Sequence, residues 1–103
     1  MKAIINKHLY DTETATLLGI CDNSCDEDEE DYYAERLYQK RNGEYFIWVH
    51  GDLINYTFWE NVSEWQYFRT DNIFKITLDQ AQQWAERYMS AEKYMKFFEI
   101  EED

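Results

Sequence analysis

The dipeptide Asn42-Gly43 sets the strongest limit on how this chain folds. It stands between "YYAERLYQKR" and "EYFIWVHG", two stretches in which large apolar side chains recur among polar ones. An Asn-Gly pair in this setting favours a two-residue hairpin turn, because both central positions of that turn need a positive φ. We therefore predict an antiparallel hairpin in which Arg36–Arg41 pairs with Glu44–His50.

A two-residue turn also predicts which side chains of the hairpin share a face. On one face it places four pairs, namely Arg41 with Glu44, Gln39 with Phe46, Leu37 with Trp48, and Glu35 with His50. The other face then carries Arg36, Tyr38, Lys40, Tyr45, Ile47 and Val49. Both faces are rich in large apolar groups, so either both are covered or one is a contact surface. We expect a homodimer through the face with Leu37, Phe46 and Trp48.

The rest of the chain predicts further strands and two helices. Strands are expected at residues 2–9 and 16–22 and within "SEWQYFR" and "NIFKI", with turns at 11–15 and at Thr70-Asp71. Residues 52–62 predict a loop with a short helical turn. The predicted fold is a single domain over residues 1–103, of class α+β, with an antiparallel β-sheet around a central hairpin packed against two C-terminal helices.

Helix signals are concentrated at the C-terminal end. Thr77 with Gln80 forms a capping box, and Ser90 is a cap for a second, shorter helix that contains Tyr94, Phe97 and Phe98. A core-facing stripe at i, i+3, i+4 and i+7 is expected on the first helix, made of Ala81, Trp84, Ala85 and Tyr88.

The charge balance limits the classes of partner. The chain has 22 Asp and Glu against 10 Lys and Arg, for a net charge of −12. A field of that sign repels DNA, RNA and anionic membranes and attracts cationic surfaces. We therefore expect no direct nucleic-acid or membrane contact, and a protein partner with a basic surface.

The residue types that support metal binding or catalysis are sparse. Cys21 and Cys25 lack a second Cys or His pair at a suitable spacing, and only His8 and His50 could add imidazoles. Three glycines and no proline leave no phosphate-cradling loop. We expect no metal, no cofactor and no catalytic residue, hence a protein that is not an enzyme. Two cysteines and no N-terminal apolar run favour the cytoplasm.

Six consecutive carboxylates, Asp26–Asp31, form the densest charge in the sequence. A DNA duplex presents about one negative charge per 1.7 Å of axis, and DNA-binding proteins answer it with Lys and Arg. A row of carboxylates held on a folded domain could compete with DNA for the basic channel of such a protein. The residues expected to bind such a partner are Asp22, Asp26, Glu27, Asp28, Glu29, Glu30, Asp31, Tyr32, Tyr33 and Glu35.

Three blocks of the sequence resemble small acidic proteins from mobile elements of Gram-positive bacteria. They are "LYDTETA" (9–15), "ERLYQKRNGEYFIW" (35–48) and "ITLDQAQQWAERYMSAEKY" (76–94), in the same order as in that group. Some proteins of this kind are anti-CRISPR inhibitors of type II-A CRISPR nucleases. The resemblance implies an inhibitor that acts in the cytoplasm of a host bacterial cell and occupies a nucleic-acid-binding surface of a CRISPR nuclease as a DNA mimic.

Two other functions remain open at this point. One is a self-associating regulatory or metal-dependent interaction module of a mobile element. The other is an antirestriction protein whose carboxylates bind the basic surface of a different DNA-binding enzyme.

Overall fold

A computed structural model describes residues 1–22, 33–51, 65–68 and 71–100. In order along the chain, the elements are β1 (Lys2–Ile5), β2 (His8–Asp11), β3 (Thr16–Asp22), β4 (Tyr33–Gln39), β5 (Tyr45–Gly51), β6 (Trp65–Phe68), β7 (Asp71–Ile76), α1 (Leu78–Tyr88) and α2 (Ala91–Phe97). The expected α+β class is confirmed. The interpretation of residues 52–62 and the acidic row Asp26–Asp31 lie outside the described residues.

The strands form two antiparallel sheets. Strands β1 and β2 make a two-stranded sheet, and the other five make a sheet in the order β3-β4-β5-β7-β6. Strand β3 therefore lies at one edge of the larger sheet and the short β6 at the other. Both helices follow the last strand, and neither helix is long and apolar enough to span a bilayer.

The N-terminal segment is a hairpin, where the sequence predicted one strand over residues 2–9. Strands β1 and β2 pair with Ile5 opposite His8, and the turn residues Asn6 and Lys7 have φ of 50° and 69°. Two consecutive positive φ values are typical of a type I′ turn, the connection whose twist suits a two-residue hairpin. The single-strand prediction was wrong because neither turn residue is a glycine, and asparagine and lysine gave only a weak turn signal.

The central hairpin exists as predicted, but its turn is longer and its register differs by one residue. Lys40 N–H donates to the Glu44 carbonyl at 2.7 Å, and Gly43 N–H donates to the Lys40 carbonyl at 2.9 Å. Gly43, with φ of 92°, occupies the left-handed position of a three-residue loop. Leu37 consequently lies opposite Ile47 and Tyr38 opposite Phe46, so each predicted partner is displaced by one position.

The helices begin where their caps predicted. Thr77 Oγ1 accepts from the backbone N–H of Gln80, whose side chain accepts from the N–H of Thr77. Ser90 caps α2 through the N–H of Lys93. On the stripe of α1 the first three residues, Ala81, Trp84 and Ala85, are buried, whereas Tyr88 is 37% exposed.

Two separate clusters bury the two faces of the larger sheet. The helix-covered face carries aliphatic and aromatic groups packed on α1 and on the C-cap of α2: Leu18, Leu37, Tyr45, Ile47, Val49, Phe74, Ile76, Ala81, Trp84, Ala85 and Phe98. The hairpin-covered face is smaller and joins the larger sheet to the β1–β2 hairpin: Ala3, Ile5, Tyr10, Tyr38, Phe46 and Ile73. Both faces are thus covered within one chain.

Candidate functional site: the acidic connection between two paired strands

The acidic row belongs to the connection between β3 and β4. Asp22 ends β3 opposite Ala34, and Tyr33 begins β4 opposite Gly51 of β5. The connection therefore leaves the sheet and returns to it at the same end, on adjacent strands. Asp26–Asp31 and Tyr32 lie outside the described residues, but the two points that hold their segment are fixed by the sheet ladder.

Glu35 was expected to bind the partner, but its side chain is buried in the folded chain. Its side chain is 3% exposed, on the helix-covered face, opposite Cys21 of β3 and Val49 of β5. The alternation of a strand explains this, because residues that precede a buried Leu37 by two positions share its face. The expected cross-strand pair with His50 was also wrong, since His50 lies opposite Ala34.

The predicted dimer face is not available for a contact. Leu37 is fully buried on the helix-covered face, whereas Phe46 is fully buried on the opposite one. Phe46 stacks on Tyr38 with ring centroids 5.1 Å apart and meets Tyr10 edge-on at 5.5 Å. The prediction failed for two reasons: the register separates Leu37 from Phe46, and the β1–β2 hairpin covers the aromatic side.

Trp48, the third residue of the predicted dimer face, is half-buried beside this aromatic cluster. The Arg36 guanidinium carbon lies 4.9 Å from the centroid of its ring. Lys40 makes a similar contact nearby, with Nζ 4.3 Å from the centroid of Tyr10. These cation–π contacts satisfy basic side chains within the chain itself.

Three basic residues, together with Glu44, lie at one end of the larger sheet. Lys40 and Arg41 lie in the β4–β5 turn, and Lys75 lies next to the last residue of β7. These positions are at the end of the sheet opposite to Asp22 and Tyr33, where the acidic connection is attached. None of these three basic residues lies beside Asp22 or Tyr33, the described residues that flank the acidic row.

A polar row on the helix-covered face was not identified from the sequence. Cys21, Glu35, Val49 and Asn72 follow one another in register across β3, β4, β5 and β7. Asn72 is 1% exposed, and both atoms of its side-chain amide lack a hydrogen-bond partner. The signal was available in "DNIFKI", because Asn72, Phe74 and Ile76 alternate along one face.

Tyr88 lies close to this polar row. Burial raises the pKa of its hydroxyl, and the negative charges of Glu35 and of an ionised Cys21 raise it further, against the opposing charge of Arg87. Tyr88 is consequently neutral at physiological pH. Its ring lies at the margin of the core, with its centroid 5.2 Å from that of Trp84.

Neither a search for metal ligands nor a comparison with known proteins indicates a function. Over residues 1–22, 33–51, 65–68 and 71–100, no three His, Cys, Asp or Glu side chains come close enough together to hold a metal ion. No protein-family model, curated protein or solved structure matches this chain.

Proposed function

We propose that this chain is a small acidic protein inhibitor that occupies a basic nucleic-acid-binding surface of a DNA-acting enzyme. The proposal depends mainly on one observation, that the acidic row is joined at both ends to strands of the sheet. Six consecutive carboxylates, Asp26–Asp31, lie in a connection whose ends are held by two paired strands at one end of the sheet. Their positions in the target channel stand in for backbone phosphates.

The two strands that hold the acidic connection support this role on entropic grounds. A free acidic tail loses conformational entropy along its whole length when it binds, and that loss reduces affinity. Here the segment between Asp22 and Tyr33 is closed at both ends, because Asp22 pairs with Ala34 and Tyr33 pairs with Gly51. The segment therefore loses less conformational entropy on binding than a free tail would, and more of the electrostatic attraction contributes to affinity.

The charge distribution supports the same role. The net charge of −12 draws the protein toward a cationic surface, and Lys40, Arg41 and Lys75 lie at the far end of the sheet. The molecule can therefore approach a basic channel with its acidic end first. Electrostatic steering of this kind raises association rates at low salt and weakens as salt rises.

The resemblance to mobile-element proteins makes a type II-A CRISPR nuclease the target that we propose to test first. The decisive first experiment is DNA cleavage by a panel of CRISPR nucleases and restriction enzymes with increasing amounts of the protein. Inhibition confined to a CRISPR nuclease supports an anti-CRISPR function. Inhibition confined to a restriction enzyme supports the antirestriction function, and inhibition of neither contradicts the proposal.

A charge-neutralised variant tests the role of the acidic row against whichever target is inhibited. Asp26→Asn, Asp28→Asn and Glu30→Gln together keep side-chain size while removing three charges. We expect at least a tenfold loss of inhibition, which corresponds to about 1.4 kcal/mol, because several screened charge pairs act together. Inhibition by the parent should also weaken steeply between about 0.1 M and 1 M salt, as the Debye length falls from about 10 Å to about 3 Å.

A matched control has the same net charge but neutralises residues away from the row. Glu13→Gln, Glu92→Gln and Glu99→Gln all change exposed side chains on other parts of the molecule. This control should inhibit nearly as well as the parent. If both triple variants lose inhibition equally, only the total charge matters. If neither loses it, the acidic row is not the contact.

A self-associating module is the second candidate function. The aromatic face from which the sequence predicted self-association is covered, but edge strand β3 pairs with only one neighbour among the described strands.

A further inference from the structure

Edge strand β3 is unusually apolar for a strand at the margin of a sheet. Its sequence, Thr16–Asp22, contains no charged residue before Asp22 and no proline. Soluble proteins commonly protect such edges with lysine, proline or a short strand, because the outward N–H and C=O groups can pair with another chain. Among the described strands β3 pairs only with β4. The one protective device it shows is a bulge between Leu17 and Gly19.

Two large side chains on this edge are exposed. Leu17 is 43% exposed and Ile20 is 49% exposed. Leu17 lies opposite Tyr38, and Ile20 lies opposite Arg36, so both belong to the hairpin-covered side of the sheet. The β1–β2 hairpin buries Tyr38 and Phe46 but leaves these two residues of β3 accessible.

From this edge we infer that β3 pairs antiparallel with β3 of a second copy of the chain, joining the two five-stranded sheets. The bulge between Leu17 and Gly19 puts Leu17 and Ile20 on the same face of the sheet. Around a two-fold axis at this bulge, between Leu18 and Gly19, Leu17 of each copy lies opposite Ile20 of the other. A two-fold contact requires a surface that complements itself, and this register meets the requirement. Four exposed apolar side chains then form one cluster, and each β3 edge gains a paired strand.

The charge pattern favours the antiparallel direction of this pairing. The acidic connection begins directly after Asp22, so a parallel pairing would bring two rows of six carboxylates together. The antiparallel pairing places the two Asp22 residues, from which the acidic connections start, at opposite ends of the joined strands, about seven residues or roughly 20–25 Å apart. That distance exceeds the Debye length of about 8 Å at physiological salt. The paired segments themselves are uncharged from Thr16 to Cys21.

The salt dependence of this dimer should be opposite to that of target binding. Two chains of charge −12 repel each other at long range, and their contact is apolar, so added salt strengthens association. The inhibitor–target contact, in contrast, weakens with salt. The dimer does not depend on the proposed inhibitor function, and its test needs no target.

The first test measures mass by light scattering at high micromolar protein concentration. The parent should be a dimer, and Ile20→Glu should be a monomer because it places a carboxylate in the apolar cluster. Ile4→Glu is the matched control, since Ile4 is a strand isoleucine that is 57% exposed on the β1–β2 hairpin. It adds the same charge and should remain a dimer. A monomeric parent, a dimeric Ile20→Glu variant or a monomeric Ile4→Glu variant would each overturn the inference.

A cross-link tests the register and does not depend on the folding of Ile20→Glu. The pairing places position 16 of one copy opposite Cys21 of the other, at a Cα separation of about 4.5–5.5 Å that a disulfide can bridge. In a Cys25→Ser background, Thr16→Cys should give a covalent dimer when it is oxidised with diamide. The same protein with Thr16 retained should not. Failure of Thr16→Cys to cross-link, or equal cross-linking with Thr16 retained, contradicts the register.

Discussion

Helix α1 covers one face of the five-stranded sheet, whereas a two-stranded hairpin covers the other. The helix side is the larger cluster and is centred on Trp84, which is fully buried. The hairpin side is a compact aromatic group in which Phe46 contacts Tyr10 and Tyr38. The same strands therefore serve two cores that differ in size, in side-chain type and in the element that closes them.

The two faces also differ in how well their polar groups are satisfied. Basic side chains on the hairpin side lie over aromatic rings, as Lys40 does over Tyr10. On the helix side, both amide atoms of Asn72 and the indole nitrogen of Trp84 are buried without a hydrogen-bond partner. The larger core thus carries unpaired polar atoms, whereas the smaller core has polar groups at its rim.

The covering elements differ in their independence. Helix α1 has a capping box at its start and packs on several strands, so it forms part of the main cooperative unit. An isolated two-stranded hairpin is at best marginally stable in water. The β1–β2 hairpin therefore depends on its contacts with the sheet, and its loss need not unfold the helix side. Four variants test the differences between the two faces.

The largest effect is expected from Trp84→Ala on the helix side. Removing a fully buried indole leaves a cavity that the surrounding strands cannot fill, which costs about 3–5 kcal/mol of unfolding free energy. Loss of the unpaired indole nitrogen offsets a small part of this cost. Urea denaturation followed by circular dichroism measures the change, and we expect all elements to unfold together.

The matching variant on the hairpin side is Tyr10→Ala, which removes a buried ring from the smaller core. Amide hydrogen exchange should accelerate mainly over residues 2–11, while α1 keeps most of its protection. Equal acceleration across α1 and the hairpin would show that the two faces form one cooperative unit. The β1–β2 hairpin would then have no stability separate from that of the helix side.

A medium effect of opposite sign is expected from Asn72→Leu. Leucine has a similar branched shape, and it removes two buried polar atoms that lack partners, so the unfolding free energy should rise by about 1–3 kcal/mol. Asn72→Asp is the control and should lower stability, because it places a carboxylate at the same buried position. A loss of stability in Asn72→Leu would mean that the amide is satisfied in solution, for example by water.

The smallest effect is expected from Lys40→Met, which keeps the aliphatic length but removes the charge above the Tyr10 ring. Cation–π contacts at exposed sites contribute about 0.5–1 kcal/mol. Lys93→Met changes an exposed lysine on α2 and serves as the control, with no expected loss. Thermal unfolding of both variants and the parent measures the difference. Equal melting temperatures would show that the contact between Lys40 and Tyr10 does not stabilise the hairpin side.

Local sequence patterns predicted the elements better than they predicted their pairing. The caps Thr77 and Ser90 were correct because a cap is satisfied within its own first turn. The β1–β2 hairpin was missed because its type I′ turn uses Asn6 and Lys7. In the central hairpin, Asn42-Gly43 is compatible with a two-residue and a three-residue loop. The choice between them shifts the register by one residue, which changes every cross-strand partner.

The candidate site was predictable in its charge but not in its membership. The acidic row follows directly from the residue types in the sequence. Glu35 was included because it is close to the row along the chain, yet the alternation of β4 turns it under α1. Phe46 was assigned to a contact surface because no sequence signal showed that the β1–β2 hairpin packs over it.

The sequence by itself determined the α+β class, the position of the caps, the existence of the central hairpin and the concentration of charge between Cys25 and Tyr32. Each of these depends on residue type or on neighbours within a few positions. Only the tertiary structure decided the register at Asn42-Gly43, the covering of both sheet faces and the exposure of β3 as an edge. Those features depend on which distant segments bury one another, because sheet pairing and core packing are set by contacts far apart in the chain.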